Sequence, residues 1–347
     1  MEELQMIWGW QPALYLFLGG MGAGAFLAAG VLYLKDAAGS RAVVRASSWA
    51  ALACLGVGLL LLLLELTNPL RGLLLWQSFS NATSWMMFGA WAALLAMIAY
   101  FAMALLMTDR VEAALIKRWP MFAERAAAVR KALVIAGMVL SAFVAVYTGM
   151  LLMSAPGVPL WNTALLPCLF TVSALDTGVA LIEVVSVACA KKNPLAHDSV
   201  VLLEKAVVVL VVLEAVVLAA YVLVLLLGGN ASGTAPVAAA SMQTLVAGVL
   251  APGFWGLLVA CGLVLPLAMA LCFLARQGKP DKLAKSGDSA AAPAAATSPT
   301  AAAVPSASFM VIGAVGAMAG GCALRFLVLM AGQHANLVAD TLALLAL

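Results

Sequence analysis

Residues 202–227 read LLEKAVVVLVVLEAVVLAAYVLVLLL, and in this stretch only Glu204, Lys205 and Glu214 are charged. An α-helix rises 1.5 Å per residue, so about 20 apolar residues cross the ~30 Å hydrocarbon core of a bilayer. Seven more runs of this kind lie around it, at 12–34, 47–66, 83–107, 131–153, 163–190, 250–275 and 308–331. In lipid every backbone amide must be satisfied within its own segment, and at these lengths only a helix does that. The reading is an all-α polytopic membrane protein with eight transmembrane helices. Composition agrees, with 65% hydrophobic residues, 10% charged residues and a mean hydropathy of +1.11, outside the range of soluble globular domains.

The charges give the topology. Sixteen of the eighteen Lys and Arg residues sit in four polar stretches, 35–45, 110–131, 191–205 and 276–285; only Arg71 and Arg325 lie elsewhere. Those stretches are every second connection. Basic residues collect on the cytoplasmic side, so the 1–2, 3–4, 5–6 and 7–8 connections face inward and both termini face outward. The acidic opening, Glu2 and Glu3, fits an exported N-terminus and lacks the positive n-region of a signal peptide. The net charge of +3 is this topology signal summed, not a nucleic-acid signature.

Cys54, Cys168, Cys189, Cys261, Cys272 and Cys322 are scattered singly through apolar segments with no CxxC pair. They offer no thiolate set for zinc or an iron–sulfur cluster, and no metal site is expected. The two histidines, His197 and His334, fall in an inner connection and the outer tail, which excludes a bis-histidine haem in the membrane. The methionines read as packing, although a Met-ligated haem stays formally open.

Residues 1–347 read as a single integral membrane domain. Within it, 276–307 starts basic and becomes rich in Ala, Pro, Ser and Thr, a composition that predicts a flexible cytoplasmic linker. The outer connection around 228–241 is small and polar and is expected to be mobile; 336–347 is expected to form a short outer helix. Two other outer connections differ. One runs Glu65-Leu66-Thr67-Asn68-Pro69-Leu70-Arg71, then Trp76, Asn81 and Trp85; the other runs Tyr147-Thr148-Gly149, then Pro156, Pro159, Leu160, Trp161, Asn162 and Pro167. Their Pro, Trp and Asn content predicts ordered backbone lining a cavity.

With Tyr15-Leu16-Phe17-Leu18-Gly19-Gly20-Met21-Gly22-Ala23-Gly24 in helix 1, and with Gly320-Gly321 and Leu324-Arg325 in helix 8, these motifs span nearly the whole sequence. In this order they resemble the NrfD/PsrC-type integral membrane subunits of polysulfide reductase and related complexes. The resemblance implies two four-helix bundles, 1–153 and 163–331, and a quinone pocket opening near the outer face. It implies bound menaquinone or ubiquinone, with no haem or iron–sulfur cluster in this protein. The implied partners are an extracytoplasmic ferredoxin-like iron–sulfur subunit and a molybdopterin catalytic subunit, at a bacterial cytoplasmic membrane. A protein without its own redox centre handles electrons when its redox group is a bound quinone.

The candidate residues follow. A charge near the bilayer core costs several kcal/mol unless it is paired or hydrated. Glu65 and Arg71 read either as an interfacial ion pair, with Arg71 alternatively on lipid phosphate, or as the lining of the quinone site with Glu65 accepting protons. Tyr147 stands near the outer end of helix 4, as a belt tyrosine or as a hydroxyl that bonds and protonates a quinone carbonyl. The polysulfide reductase branch implies a quinone-holding His in the first segment; here Trp8, Trp10 and Gln11 occupy that stretch. Gln11, Asn68, Asn81 and Asn162 are the polar replacements on offer, and with Tyr15, Trp85 and Trp161 they make up the candidate quinone-binding residues.

Asp176 and Glu183, seven apart, share one face of helix 5, and Glu214 lies centrally on helix 6. Together with Glu204 and Arg325 they form either a structural ion-pair set between bundles or a proton relay joining the quinone site to one side of the membrane. Glu204 alone reads as the relay entrance or as a solvated partner of Lys205. The Gly19–Gly24 run has small-xxx-small spacing for close helix packing. The functional expectation is a quinone-reactive membrane subunit of a respiratory oxidoreductase. The rival is a secondary transporter or passive anchor whose buried charges serve transport or assembly.

Overall fold

The computed structural model describes residues 8–65, 85–155, 157–191, 193–227, 235–277 and 304–333. The expectations for Asn68, Arg71 and Asn81, for 278–303 of the linker and for the 336–347 tail lie outside the described residues. Among the described residues the structure is helical with no strand. Seven long helices are α1 (Trp10–Lys35), α2 (Arg41–Glu65), α3 (Trp85–Leu106), α5 (Met121–Met153), α6 (Leu165–Cys189), α7 (His197–Leu226) and α10 (Val304–Ala331). An eighth span, Gly253–Arg276, is wound as a π-helix over Gly253–Val264 and continues as α9 (Leu265–Gln277). These eight are long and apolar enough to cross a membrane. Two shorter helices, α4 (Asp109–Arg118) and α8 (Ala235–Val246), complete the set.

The Leu202–Leu227 stretch shows how sequence sets orientation. On α7, Glu204, Val207, Val211, Glu214, Leu218, Tyr221 and Leu225 are buried, whereas Val209, Val216 and Leu223 are exposed. The buried set advances by three and four and the exposed set by seven, so each is one face of a helix. Both faces are apolar, as expected for a helix between protein and lipid. The two carboxylates lie on the protein side.

Contacts pass from α1 to α2, α2 to α3, α3 to α5 and α5 back to α1; a second circuit joins α6, α7, α9 and α10. The circuits meet mainly where α1 lies along α6. A Cβ at Gly24 would fall on the Ala174 carbonyl, and one at Gly178 would fall on the Gly24 backbone. Only glycine lets the two backbones approach this closely.

Two elements differ from the sequence reading. Helix α5 begins at Met121, ten residues before the expected 131. Its 33 residues make a rod of about 50 Å, well beyond the ~30 Å apolar core. Glu124, Arg125, Arg130 and Lys131 end the apolar run without ending the helix, because these residue types are good helix formers. The connection expected to be mobile to Ser241 is helical from Ala235, with Ala238, Ser241, Met242, Thr244 and Leu245 buried. Alanine is the best helix former and Pro236 falls in the first turn, where proline is tolerated.

Between α3 and α5, α4 is tied down by charge. Glu112 accepts hydrogen bonds from Arg41 Nη2 and from Arg130 Nη1 (2.6 Å), and Arg41 also pairs with Asp109 at 3.1 Å. The bonds from Arg41 and Arg130 hold the Glu112 carboxyl below its usual range. A depressed folded-state pKa contributes stability that is present above the unfolded value, about 4.3, and is lost as pH falls through the folded one. Acidification below about pH 4 is therefore expected to loosen α4, read as faster amide exchange at 109–118. Glu112→Gln should already exchange faster at neutral pH and lose that acid dependence.

Candidate functional site

The sequence-predicted residues fall into two groups. The first is where the start of α1 meets the ends of α2 and α5. Tyr15 and Tyr147 are buried and their hydroxyls are hydrogen-bond partners. Glycines make the space: a Cβ at Gly89 on α3 would sit inside the Tyr147 ring, and one at Gly58 on α2 would press on Tyr15 at 3.3 Å. Glu65 ends α2, and its carboxylate accepts the Gly9 amide N–H. Gln11 folds back so that Oε1 lies 2.6 Å from where a Gly9 Cβ would be. Seven residues separate Gly58 from Glu65, placing the carboxylate about 10 Å from the tyrosine pair, toward the end of α2. Trp85 begins α3 and is 40% exposed, beside exposed Met86 and Phe88.

Trp161 and Asn162 have structural bonds. Trp161 Nε1 donates to the Val328 carbonyl on α10 at 2.8 Å, and its ring meets Trp8 edge-on at 5.6 Å. Asn162 is exposed and donates to the Met153 carbonyl at 2.9 Å, while Tyr221 of α7 donates to Leu160 O at 2.8 Å. The connection after α5 is thus fixed to α7 and α10, and Trp161 bridges it to the start of α1.

The second group lies between α6, α7 and α10. Arg325 is 0% exposed. Its Nη1 donates to Ser173 Oγ (2.5 Å) and Gly321 O (2.9 Å), its Nη2 donates to Phe170 O (3.2 Å), and the guanidinium lies 5.1 Å from the Phe170 ring centre. Ser173 is also a hydrogen-bond partner of Glu214. Asp176 and Glu214 both interact electrostatically with Arg325, yet Asp176 Oδ1 and Arg325 Nε have no hydrogen-bond partner. The ion-pair reading therefore holds only in part: the guanidinium is bonded by a hydroxyl and two carbonyls, with the carboxylates nearby. Gly20 of α1 faces Arg325, with a Cβ position 3.4 Å from Nη2. It stands five residues, or about 8 Å, past Tyr15 along α1.

From Asp176 the acidic groups continue toward the end of α6 and the start of α7. Glu183 interacts with Asp176 and with Glu204, and each of Glu183 and Glu204 has Oε1 buried without a partner. Glu204 is 2% exposed, so it is not a solvated partner of Lys205. Sequence reasoning missed Ser173 and Gly89. Small residues within apolar helices carry no chemical signal until their neighbours are known.

The sequence profile of the family described as Polysulphide reductase, NrfD, matches residues 2–280. The protein belongs to the polysulphide reductase NrfD family. The C subunit of polysulfide reductase from Wolinella succinogenes is 30% identical over 339 residues, a match spanning 94% of this sequence and 95% of that one. Membership in NrfD together with eight apolar helices makes this an integral membrane protein. Among the described residues, no group of three or more His, Cys, Asp or Glu could hold a metal ion. The NrfD match includes the Tyr15, Glu65 and Tyr147 cluster and the α6–α7 carboxylates, and ends before α10 and Arg325.

Proposed function

We propose that this protein is the quinone-reactive membrane subunit of a bacterial respiratory oxidoreductase complex, exchanging electrons between the quinone pool and an extracytoplasmic iron–sulfur subunit. The observation that carries this reading is the buried Tyr15–Tyr147 pair at the outer ends of α1 and α5, with Glu65 outward of it. A quinone head needs hydrogen-bond donors for its carbonyls, a proton-exchanging group and an apolar approach. Two phenol hydroxyls, one carboxylate and the exposed Trp85, Met86 and Phe88 fit menaquinone or ubiquinone.

When bound, the quinone supplies two-electron chemistry coupled to two protons. The tyrosine pair holds a donor and an acceptor in hydrogen-bond contact and moves a proton between the two oxygens. Glu65, facing the Gly9 amide, accepts or returns a proton toward the outer surface. Gln11 lies beside Glu65 at the start of α1, and Arg71, Asn68 and Asn81, outside the described residues, are assigned to the quinone on sequence alone. The bonds that fix the Leu160–Asn162 connection give an iron–sulfur partner, itself joined to a molybdopterin subunit, a rigid outer surface. The Wolinella relative is one polypeptide of a polysulfide reductase, which supports assembly with other subunits.

The contact circuits support two four-helix bundles, 1–153 and 163–331. In the second bundle, Glu204, Glu183, Asp176, Glu214 and Arg325 form the proton relay, with Arg325 at the junction facing α1. Both termini lie on the outer side. The rival reading is a secondary transporter, whose breaks would gather around a midplane site. Purification from native membranes separates the two: an associated iron–sulfur protein with extractable quinone is expected, whereas an isolated protein that accumulates a solute in vesicles would overturn the proposal.

A further inference from the structure

In the second helix circuit, α6, α7, α9 and α10 line a partly open cavity of about 10 Å³, roughly the space one water needs. Glu183 and Glu204 line it from α6 and α7, 3% and 2% exposed, each with a buried, unpartnered Oε1. The remaining lining is apolar, including Pro266, Met269, Phe309 and Met310. Two carboxyls facing one small apolar space suit a proton better than a metal cation, which takes six or more oxygen ligands if it is a hard ion. Glu204 is seven residues from the inner end of α7, about 10 Å along the helix.

One ring in the cavity lining is held by an exposed cation. Phe309 lines the cavity and is half-buried, and the exposed Arg276 guanidinium lies over its face at 4.5 Å from the ring centre. Arg276 ends the Gly253–Arg276 span on α9 and Phe309 begins the apolar run of α10, so the contact clasps these two helix ends together. Gly313 gives the lining its room, with Met269 3.2 Å from its Cβ position. Other charges around the two carboxyls are Asp176 on α6, Lys205 on α7 and, farther outward, Glu214 and Arg325.

We propose that Glu183 and Glu204 form a proton-loading chamber entered from the inner face, with Phe309 as its door and Arg276 as the latch on that door. This deepens the proton-relay reading and rests on it. An aqueous proton reaches the chamber when the Arg276–Phe309 clasp opens, binds one carboxyl, and moves to Asp176 along α6 once the clasp has closed.

Dicyclohexylcarbodiimide tests this in the intact complex in membranes. The O–H of a protonated carboxyl adds across a C=N bond of the reagent, giving an acylisourea that rearranges to a stable acylurea with no atom lost. Peptide mass spectrometry should find one adduct on Glu183 or Glu204, and the Glu204→Gln and Glu183→Gln variants identify which. A water-soluble carbodiimide applied from the inner side should label the same residue several-fold faster in Arg276→Ala and in Phe309→Ala. Labelling applied from the outer side should be unchanged in both variants. Absence of an adduct on both carboxyls overturns the chamber; unchanged inner-side labelling in both variants overturns the door. Quinol is not required for labelling, so failure here is distinguishable from failure of the quinone reading, which leaves the adduct in place.

Discussion

Arg325→Met is expected to lower the stability of the purified protein by about 3–5 kcal/mol, the usual cost of removing one partner from a buried charged cluster. The side chain is 0% exposed and its guanidinium bonds Ser173 and two carbonyls. Methionine fills much of the volume but leaves Asp176 and Glu214 without their cation, and Ser173 Oγ without a donor. The loss is electrostatic, so it should be reversed in part by a second change that removes a carboxylate. Arg325→Met/Asp176→Asn should unfold in detergent at a temperature between Arg325→Met and the parent. Equal unfolding of the single and double variants would mean that Arg325 acts through packing on Phe170 alone.

Much of this architecture is legible in the sequence, because lipid allows few solutions. Eight apolar runs predict eight spans, and the described residues hold eight helices long and apolar enough to cross a membrane. Leu202–Leu227 illustrates the limit of that reading. Its length and apolarity predict a span, but only the structure shows Glu204 and Glu214 on the same buried face. Boundaries are less legible where charge and helix end part company: Arg130 and Lys131 end lipid contact, yet α5 runs back to Met121. Small residues mislead at Ala235–Ser241, where an alanine-rich segment is a packed helix rather than a mobile connection.

The candidate residues stand out by type, since a charge or phenol within an apolar run has to be explained. Their partners do not. Tyr15 and Tyr147 are 132 positions apart in sequence, and their contact follows from α1 and α5 packing side by side around Gly89. Arg325 and Ser173 meet for the same reason, through α10 and α6. Trp161 reads as a quinone contact from sequence; the structure adds that its indole N–H bonds Val328 O, a partner that no local pattern announces.

The central claim is that the tyrosine pair serves quinone chemistry. Tyr147→Phe keeps the ring against Gly89 and removes only the oxygen bonded to Tyr15, so the helices should pack unchanged. A positioned acid–base group contributes about 100-fold or more to rate. Quinol-dependent turnover by the assembled complex should therefore fall about 100-fold, and Tyr15→Phe should reduce it too. Turnover driven by a soluble donor to the iron–sulfur partner bypasses the pair and should keep its parental rate in both variants. The decisive measurement is the ratio of these two rates in Tyr147→Phe: a drop of about 100-fold is the predicted result, and a ratio equal to the parent's would contradict it.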